Sequence, residues 1–299
     1  MKEQSAATYA AIDIGSNGAR LLIKRFTPRE NEPAEVEKLM FVRVPLRLGQ
    51  DVFTLGKISE QRYRMMLHML KGYIQFMKLY GVDRYRACAT SAMRDAENGK
   101  KVMKRLEEKT GVKLEIIKGE EEAGLLFDNL VEKTDSNEGC FAYIDVGGGS
   151  TEISLIHDGT LADSHSYNIG TLRLLAGQVT REEKDELRQG LTEYATRFGK
   201  VTIIGSGGNI NKLCKLGNTK KSNELAVADL QKIYDQLKPM SVEQRMETYG
   251  MRTDRADVIV PAAEIFLHCA EYLECDTIKV PNISLADSIV DGLYKEMSK

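Results

Sequence analysis

Tyr9-Ala-Ala-Ile-Asp13-Ile-Gly15, near the start of the chain, returns as Phe141-Ala-Tyr-Ile-Asp145-Val-Gly147 in the middle, almost position for position. In both copies an apolar run ends in an aspartate and a turn of small residues. The turn is Gly15-Ser16-Asn17 in the first copy and Gly147-Gly148-Gly149-Ser150 in the second, and a second apolar run (19–26 or 151–156) follows at once. Two short apolar runs joined by such a turn read as a β-hairpin. The order after each hairpin is also alike: a third strand, a helix, a strand and a helix. Repetition on this scale implies a duplicated α/β domain with a cleft between the copies.

Working outward, the first copy predicts a third strand over 35–47 and a helix over 59–80. Tyr63, Met66, Leu67, Leu70, Ile74 and Met77 recur there at helical spacing, with Ser59 as cap and Gly81 as stop. A strand over 84–89, a helix starting at Thr90 or Ser91, a strand over 113–117 and a helix over 120–133 complete it. The second copy predicts strands at 139–145, 151–156 and about 162–168, a helix from Thr171 and a charged helix over 180–198. A strand at 201–204 then enters Gly205-Ser206-Gly207-Gly208. Helices over 226–237 and 258–273, a strand at 277–280 and a helix over 284–297 follow. Domains are expected at 1–125 and 126–299, with the helix 285–299 available to pack back onto the first.

Composition narrows the function. The 299 residues are 42% hydrophobic and 29% charged, ordinary for a soluble globular chain. A net charge of −2 lacks the basic excess of a nucleic-acid binder, so a polyanionic ligand needs a local basic site. The five cysteines form no CxxC pair and the four histidines no zinc motif, which reads as reduced thiols and no zinc site. The N-terminus lacks the pattern of a signal peptide, and no apolar run reaches the roughly 20 residues that span a bilayer. A cytoplasmic protein with no membrane or nucleic-acid partner is expected.

The glycine turns suit phosphate, because backbone N–H groups approach an anion closely where side chains are small. Ser16, Asn17, Ser150 and Thr151 add side-chain donors at the same turns. An aspartate beside such a turn repels phosphate unless it holds a hard cation, so Asp13 and Asp145 are candidate metal residues for Mg²⁺. Gly205–Asn209 lies between strand and helix, where helix N-termini bind anions. Arg94, placed in the first turn of the helix capped by Thr90 or Ser91, is a candidate bidentate phosphate clamp, and Arg20 a second. Glu120-Glu121-Glu122 opens a helix; these acids suit the dipole there, and one beside a phosphate would have the raised proton affinity of a general base.

Five stretches, in order along the chain, carry a resemblance: Ala11-Ile-Asp-Ile-Gly-Ser-Asn17, Ala89-Thr-Ser-Ala-Met-Arg94, Ile117-Lys-Gly-Glu-Glu-Glu-Ala123, Ile144-Asp-Val-Gly-Gly-Gly-Ser-Thr-Glu152 and Arg255-Ala-Asp-Val-Ile259. They resemble the exopolyphosphatase/guanosine pentaphosphate phosphohydrolase family of the actin–Hsp70–sugar kinase superfamily. The resemblance implies two ribonuclease H-like (actin-like ATPase) domains facing a cleft, dependence on Mg²⁺, and release of terminal orthophosphate from polyphosphate or pppGpp. It further implies Glu121 as the base that activates water, and Asp145 and Glu152 as organisers of metal and water. Arg94, Ser150 and Gly147, Gly148 and Gly149 resemble the family's phosphate cradle; with the turns read above, Gly15, Ser16, Asn17, Ser91, Thr151, Gly207 and Gly208 complete the candidate phosphate-binding set, and Asp13 joins Asp145 and Glu152 as a candidate metal residue.

The chain departs from the family pattern at Gly18-Ala19-Arg20 after the first turn, and at Ser284-Leu-Ala-Asp-Ser288, which lacks the family's arginine and closing glycine. Longer members append helical domains, so this shorter chain is expected to favour short polyphosphate or nucleotide. A homodimer is compatible with the broad face of an actin-like domain. Two other classes remain open at this level: a small-molecule kinase of the same superfamily, and a (p)ppGpp or ATP sensor that does not turn over.

Overall fold

The computed structural model describes residues 6–30, 32–133, 138–217, 223–281 and 284–298. Its contacts divide the chain into two compact units, Met1–Lys118 with Leu285–Lys299, and Gly119–Ser284.

In the first unit, β1 (Ala7–Ile14) and β2 (Ala19–Arg29) form the expected hairpin, with Asp13 directly across from Arg20. β3 (Glu32–Val44) extends it on one side. On the other side β1 pairs in parallel with β4 (Arg84–Ala89), and β4 with β5 (Glu115–Ile116), giving the order β3-β2-β1-β4-β5. β3 stops at Val44, short of the expected 47, because Pro45 has no N–H for the ladder. Arg47 then turns into the left-handed region (φ 57°) and α1 (Leu48–Leu55) begins, a helix too short to show a period in the sequence.

α2 (Glu60–Leu79) is capped as expected by Ser59, whose oxygen accepts the Arg62 N–H at 3.2 Å. The helix expected after β4 is broken in two, α3 (Ser91–Asp95) and α4 (Gly99–Thr110). The break is held by Asn98, whose side chain bonds both the N–H and the carbonyl of Ile58 at 2.9 Å.

The second unit begins with α5 (Gly119–Lys133), followed by the hairpin β6 (Cys140–Val146) and β7 (Thr151–His157) and then β8 (Thr160–Tyr167). α6 (Thr171–Leu175), α7 (Arg181–Phe198), β9 (Val201–Ser206) and α8 (Gly208–Leu216) come next. β10 (Glu224–Ala226), α9 (Val227–Leu237), α10 (Val242–Tyr249), α11 (Thr253–Ala256), α12 (Ile259–Tyr272) and β11 (Thr277–Lys279) complete the unit. Sheet order is β10-β11-β9-β6-β7-β8. Without the edge strand β10 this repeats the first sheet: an antiparallel three-stranded start and two strands parallel to the first. Both are the sheet of the actin-like, ribonuclease H-like domain, so the duplication read from the hairpins is a duplication of topology. Ile144, Ile203, Phe266 and Ile278 are buried at the centre of the second core. No helix among the described residues is long and apolar enough to cross a membrane.

A boundary at 125/126 falls inside α5, which belongs to the second unit for a local reason. Gly119 lies so close to β8 that a Cβ there would come within 2.1 Å of Ser166 Cβ. One turn later Ser154 on β7 donates to the Ala123 carbonyl at 3.2 Å.

The closing helix, α13 (Leu285–Ser298), joins the first unit and packs on β1, β2 and β4. Lys24 of β2, buried at 6% exposure, places its ammonium 2.9 Å from both Asp287 and Asp291, one turn apart on α13. The departing segment Ala286–Ser288 is thus built into this contact, with Ala286 and Ser288 buried beside the ion triad. Burial alone would depress the lysine pKa, but the two carboxylates outweigh it and hold it above its ordinary value. The stabilisation is therefore complete below the pKa of an unfolded lysine and is lost only as pH rises through the higher folded value. Lys24→Met strands two mostly buried carboxylates and is expected to cost about 3 kcal/mol, read as a lower urea midpoint with an unchanged slope.

Candidate active site

The turn after β6 is fixed from behind. Gly147 closes it by donating to the Ser150 carbonyl at 2.9 Å. The Gly147 carbonyl accepts the Thr171 N–H at 3.0 Å, and the Gly148 carbonyl accepts Leu172 and Arg173 N–H at 2.8 and 3.1 Å. Arg173 Nε donates to the Gly149 carbonyl at 2.7 Å. Among the described residues, no protein acceptor is found for the N–H groups of Gly148, Gly149 and Ser150. With the carbonyls engaged on one side, these donors form an anion-binding concavity of the kind that glycine turns make. Gly170 makes the backing possible, since a Cβ there would lie 2.4 Å from the Gly149 carbonyl carbon.

The first turn has the same construction. Gly15 donates to the Gly18 carbonyl at 3.1 Å, while Gly49 and Arg47 donate to the Ser16 and Asn17 carbonyls at 2.8 and 3.0 Å. The left-handed Arg47 is thus tied to the first turn through its N–H. Ser16 Oγ accepts the Ala92 N–H at 3.1 Å and so caps α3 across the fold. That corrects the expected cap: the Thr90 side chain makes no capping bond, because its backbone (φ −114°, ψ −145°) turns it away, and Ser91 Oγ reaches Asp95 at 3.3 Å. Arg94 stands in the last turn of the five-residue α3, not in a first turn, and one guanidinium nitrogen donates to the Ile117 carbonyl at 3.0 Å.

The two sheets differ where the turns leave them. Asp13, Arg20 and Arg43 stand directly across from one another on β1, β2 and β3. At the equivalent places on β6, β7 and β8 stand Asp145, Glu152 and Ser166. In the first row the buried Asp13 is ion-paired with Arg20. Tyr73 of α2 feels this row: burial first, then Asp13, raise its phenol pKa, and Arg20 and Arg43 oppose them. Gly18 leaves room for Arg43, whose guanidinium would lie 3.2 Å from a Cβ at that position.

The second row has two acids and a hydroxyl. Glu152, 3% exposed, receives Ser150 and Ser166 hydroxyls on one oxygen at 2.6 and 2.9 Å. Asp145 lies against Gly207, where a Cβ would come within 2.7 Å of its carboxylate. Carboxylates directly across a strand pair repel. A hard cation between them removes that cost, and Glu152 is already oriented by its two hydroxyls. No group of three or more His, Cys, Asp or Glu that could hold a metal exists among the described residues.

Other expected cradle residues, Thr151, Gly207 and Gly208, also make contacts within the second unit. Thr151 is fully buried and its hydroxyl donates to the Ile169 carbonyl at 2.5 Å, so that donor faces inward. Gly207 (φ 96°) precedes α8, and the Gly208 carbonyl accepts Arg255 at 2.6 Å. Of the α5 acids, Glu120 and Glu121 are exposed and Glu122 is buried. Residues 147–152 of the second turn and the α5 acids all belong to the second unit, whereas Asp13, Arg94 and the first turn belong to the first. Ser166, Gly170 and Arg173 were not legible as site residues; they sit in a strand and a short helix without a motif, and only their contacts reveal them.

Two actin-like domains carry matched glycine turns, and the second turn stands beside paired carboxylates. A family model described as the Ppx/GppA phosphatase family matches residues 34–296, and the chain belongs to that family. It is 28% identical over 313 residues to Exopolyphosphatase 2 of Mycobacterium tuberculosis, covering 95% of this chain and 96% of that one. It is 26% identical over 309 residues to the Bifunctional 3-dehydroquinate synthase/phosphatase of Fusobacterium nucleatum, covering 95% of this chain but 46% of that protein, so it spans about half of that relative's length. The crystal structure of the Aquifex aeolicus member of the Ppx/GppA family matches with a TM-score of 0.76 at 26% identity, covering 97% of this chain and 99% of that one.

Gly170→Ala must displace the 149–150 peptide. The overpacking is expected to lower stability by about 1–3 kcal/mol and to weaken binding of inorganic triphosphate, both readable by thermal unfolding and titration calorimetry.

Proposed function

We propose that this enzyme releases terminal orthophosphate from short inorganic polyphosphate or pppGpp in the cytoplasm, with Mg²⁺ as cofactor. The observation that carries this reading is the row Asp145–Glu152–Ser166 beside a turn whose carbonyls are tied back by residues 171–173. An anion turn next to two carboxylates makes chemical sense when anion and cation bind together, as a metal–phosphate pair does.

Asp145 and Glu152 would hold the metal, which when bound screens the phosphate charge and stabilises the charge that develops on it. The N–H groups of Gly148, Gly149 and Ser150 bind phosphate oxygens; within the first unit Arg94, with one donor engaged on Ile117, keeps further guanidinium N–H groups for phosphate. Glu121, exposed on the first turn of α5, takes the proton of the attacking water. Glu152 orients that water from its fixed position. Gly15, Ser16, Asn17 and Ser91 shape and brace the first turn, and Thr151, Gly207 and Gly208 brace the second. Asp13 supports its own turn through Arg20 and, through water, adds to the attraction for cations.

Purified protein with Mg²⁺ is expected to release orthophosphate from short-chain polyphosphate, pppGpp or both. Glu121→Gln should slow release about 10²–10⁴-fold, and chelation of the metal should stop it. Tight binding of all three of polyphosphate, pppGpp and ATP without release of phosphate from any of them would overturn the hydrolytic reading in favour of a sensor.

A further inference from the structure

The same carbonyl is held in both turns, but by different means. Aligning the duplicated strands places Asn17 opposite Gly149 in the repeat. The Asn17 carbonyl is held by a backbone N–H, that of Arg47. The Gly149 carbonyl is held by a side chain, Arg173 Nε at 2.7 Å. Thr171, Leu172 and Arg173 hold the Gly147 and Gly148 carbonyls through backbone N–H groups, which no substitution at those positions other than proline removes. The plane of the Gly149–Ser150 peptide thus depends on one replaceable group.

Gly170 packs against that peptide, and the Arg173 bond sets its plane within the space left to it. A glycine on one side permits rotations that a Cβ would forbid, and rotation of the peptide would exchange the Ser150 N–H for the Gly149 oxygen at the anion face. An oxygen there repels phosphate. Ser150 is also the residue whose hydroxyl fixes Glu152, at 2.6 Å, so the peptide's orientation bears on both the anion donors and the paired carboxylates.

We propose that Arg173 is a positioning residue: its guanidinium acts through the Gly149 carbonyl to keep the Ser150 N–H turned toward a bound phosphate, without itself touching the phosphate. This rests on the reading of the 147–150 turn as a phosphate site. The bonding atom matters. Glutamine carries an N–H donor at the same number of bonds from Cα as arginine Nε, but no charge, so Arg173→Gln keeps the hold on Gly149 and removes the cation.

The test uses the Glu121→Gln protein with inorganic triphosphate and Mg²⁺, so that binding is measured without turnover. If this parent fails to bind triphosphate, the phosphate reading of the turn fails, whatever Arg173 does, and the proposal falls with it. If it binds, Arg173→Ala is expected to weaken the affinity about tenfold or more, while Arg173→Gln stays within about threefold of the parent. Circular dichroism confirms that each variant is folded, and Arg173→Met, which keeps the aliphatic stem, replaces Arg173→Ala if the latter does not fold. Equal losses in the Gln and Ala (or Met) variants would show that the charge acts directly and would overturn the proposal. Unchanged affinity in Arg173→Ala would overturn it too.

Discussion

The carbonyl oxygens of both hairpin turns are bound from behind by the segment that follows each third strand: residues 47–49 in the first unit and 171–173 in the second. A peptide has two faces to offer, and a turn of glycines can present either. Binding the carbonyls on one side leaves N–H groups for the other, which is the polarity an anion needs. Much of the local architecture serves this constraint. It accounts for the left-handed Arg47, for a glycine at 170 pressed against Gly149, and for the two short helices whose first turns lie in the backing segments.

The duplication keeps this frame and changes the charges beside it. Equivalent rows carry one acid and two guanidiniums in the first unit, two acids and a hydroxyl in the second. In the first, the acid is satisfied by its cross-strand arginine. In the second, Asp145 and Glu152 stand across from one another, and the hydroxyls of Ser150 and Ser166 fix Glu152. One copy has an ion pair where the other has two carboxylates and a hydroxyl. The α5 acids join that second copy, because Gly119 lets the start of the helix settle on Ser166.

The closing helix shows how a departure from the family pattern is absorbed. Asp287 lies in the altered stretch 284–288 and, with Asp291, holds Lys24 in an otherwise apolar contact between α13 and the first sheet. The stretch therefore has a clear structural task in this chain, fixing its last helix to its first hairpin.

The sequence by itself determined the duplication, because an apolar run, an aspartate and a glycine turn recur at matching places and impose the same hairpin twice. It also determined the main helices, whose apolar faces repeat at 3.6 residues, and the residue types of a metal–phosphate site. Tertiary structure decided what those residues do. Arg20 proved to be the partner of Asp13, Ser16 the cap of α3, and Thr151 an inward-facing donor, since side-chain direction depends on neighbours far along the chain. The assignment of α5 to the second unit and the roles of Ser166, Gly170 and Arg173 were likewise invisible, because each depends on the close approach of two backbones. Such an approach leaves no period or motif in the sequence, only a glycine or an arginine like any other.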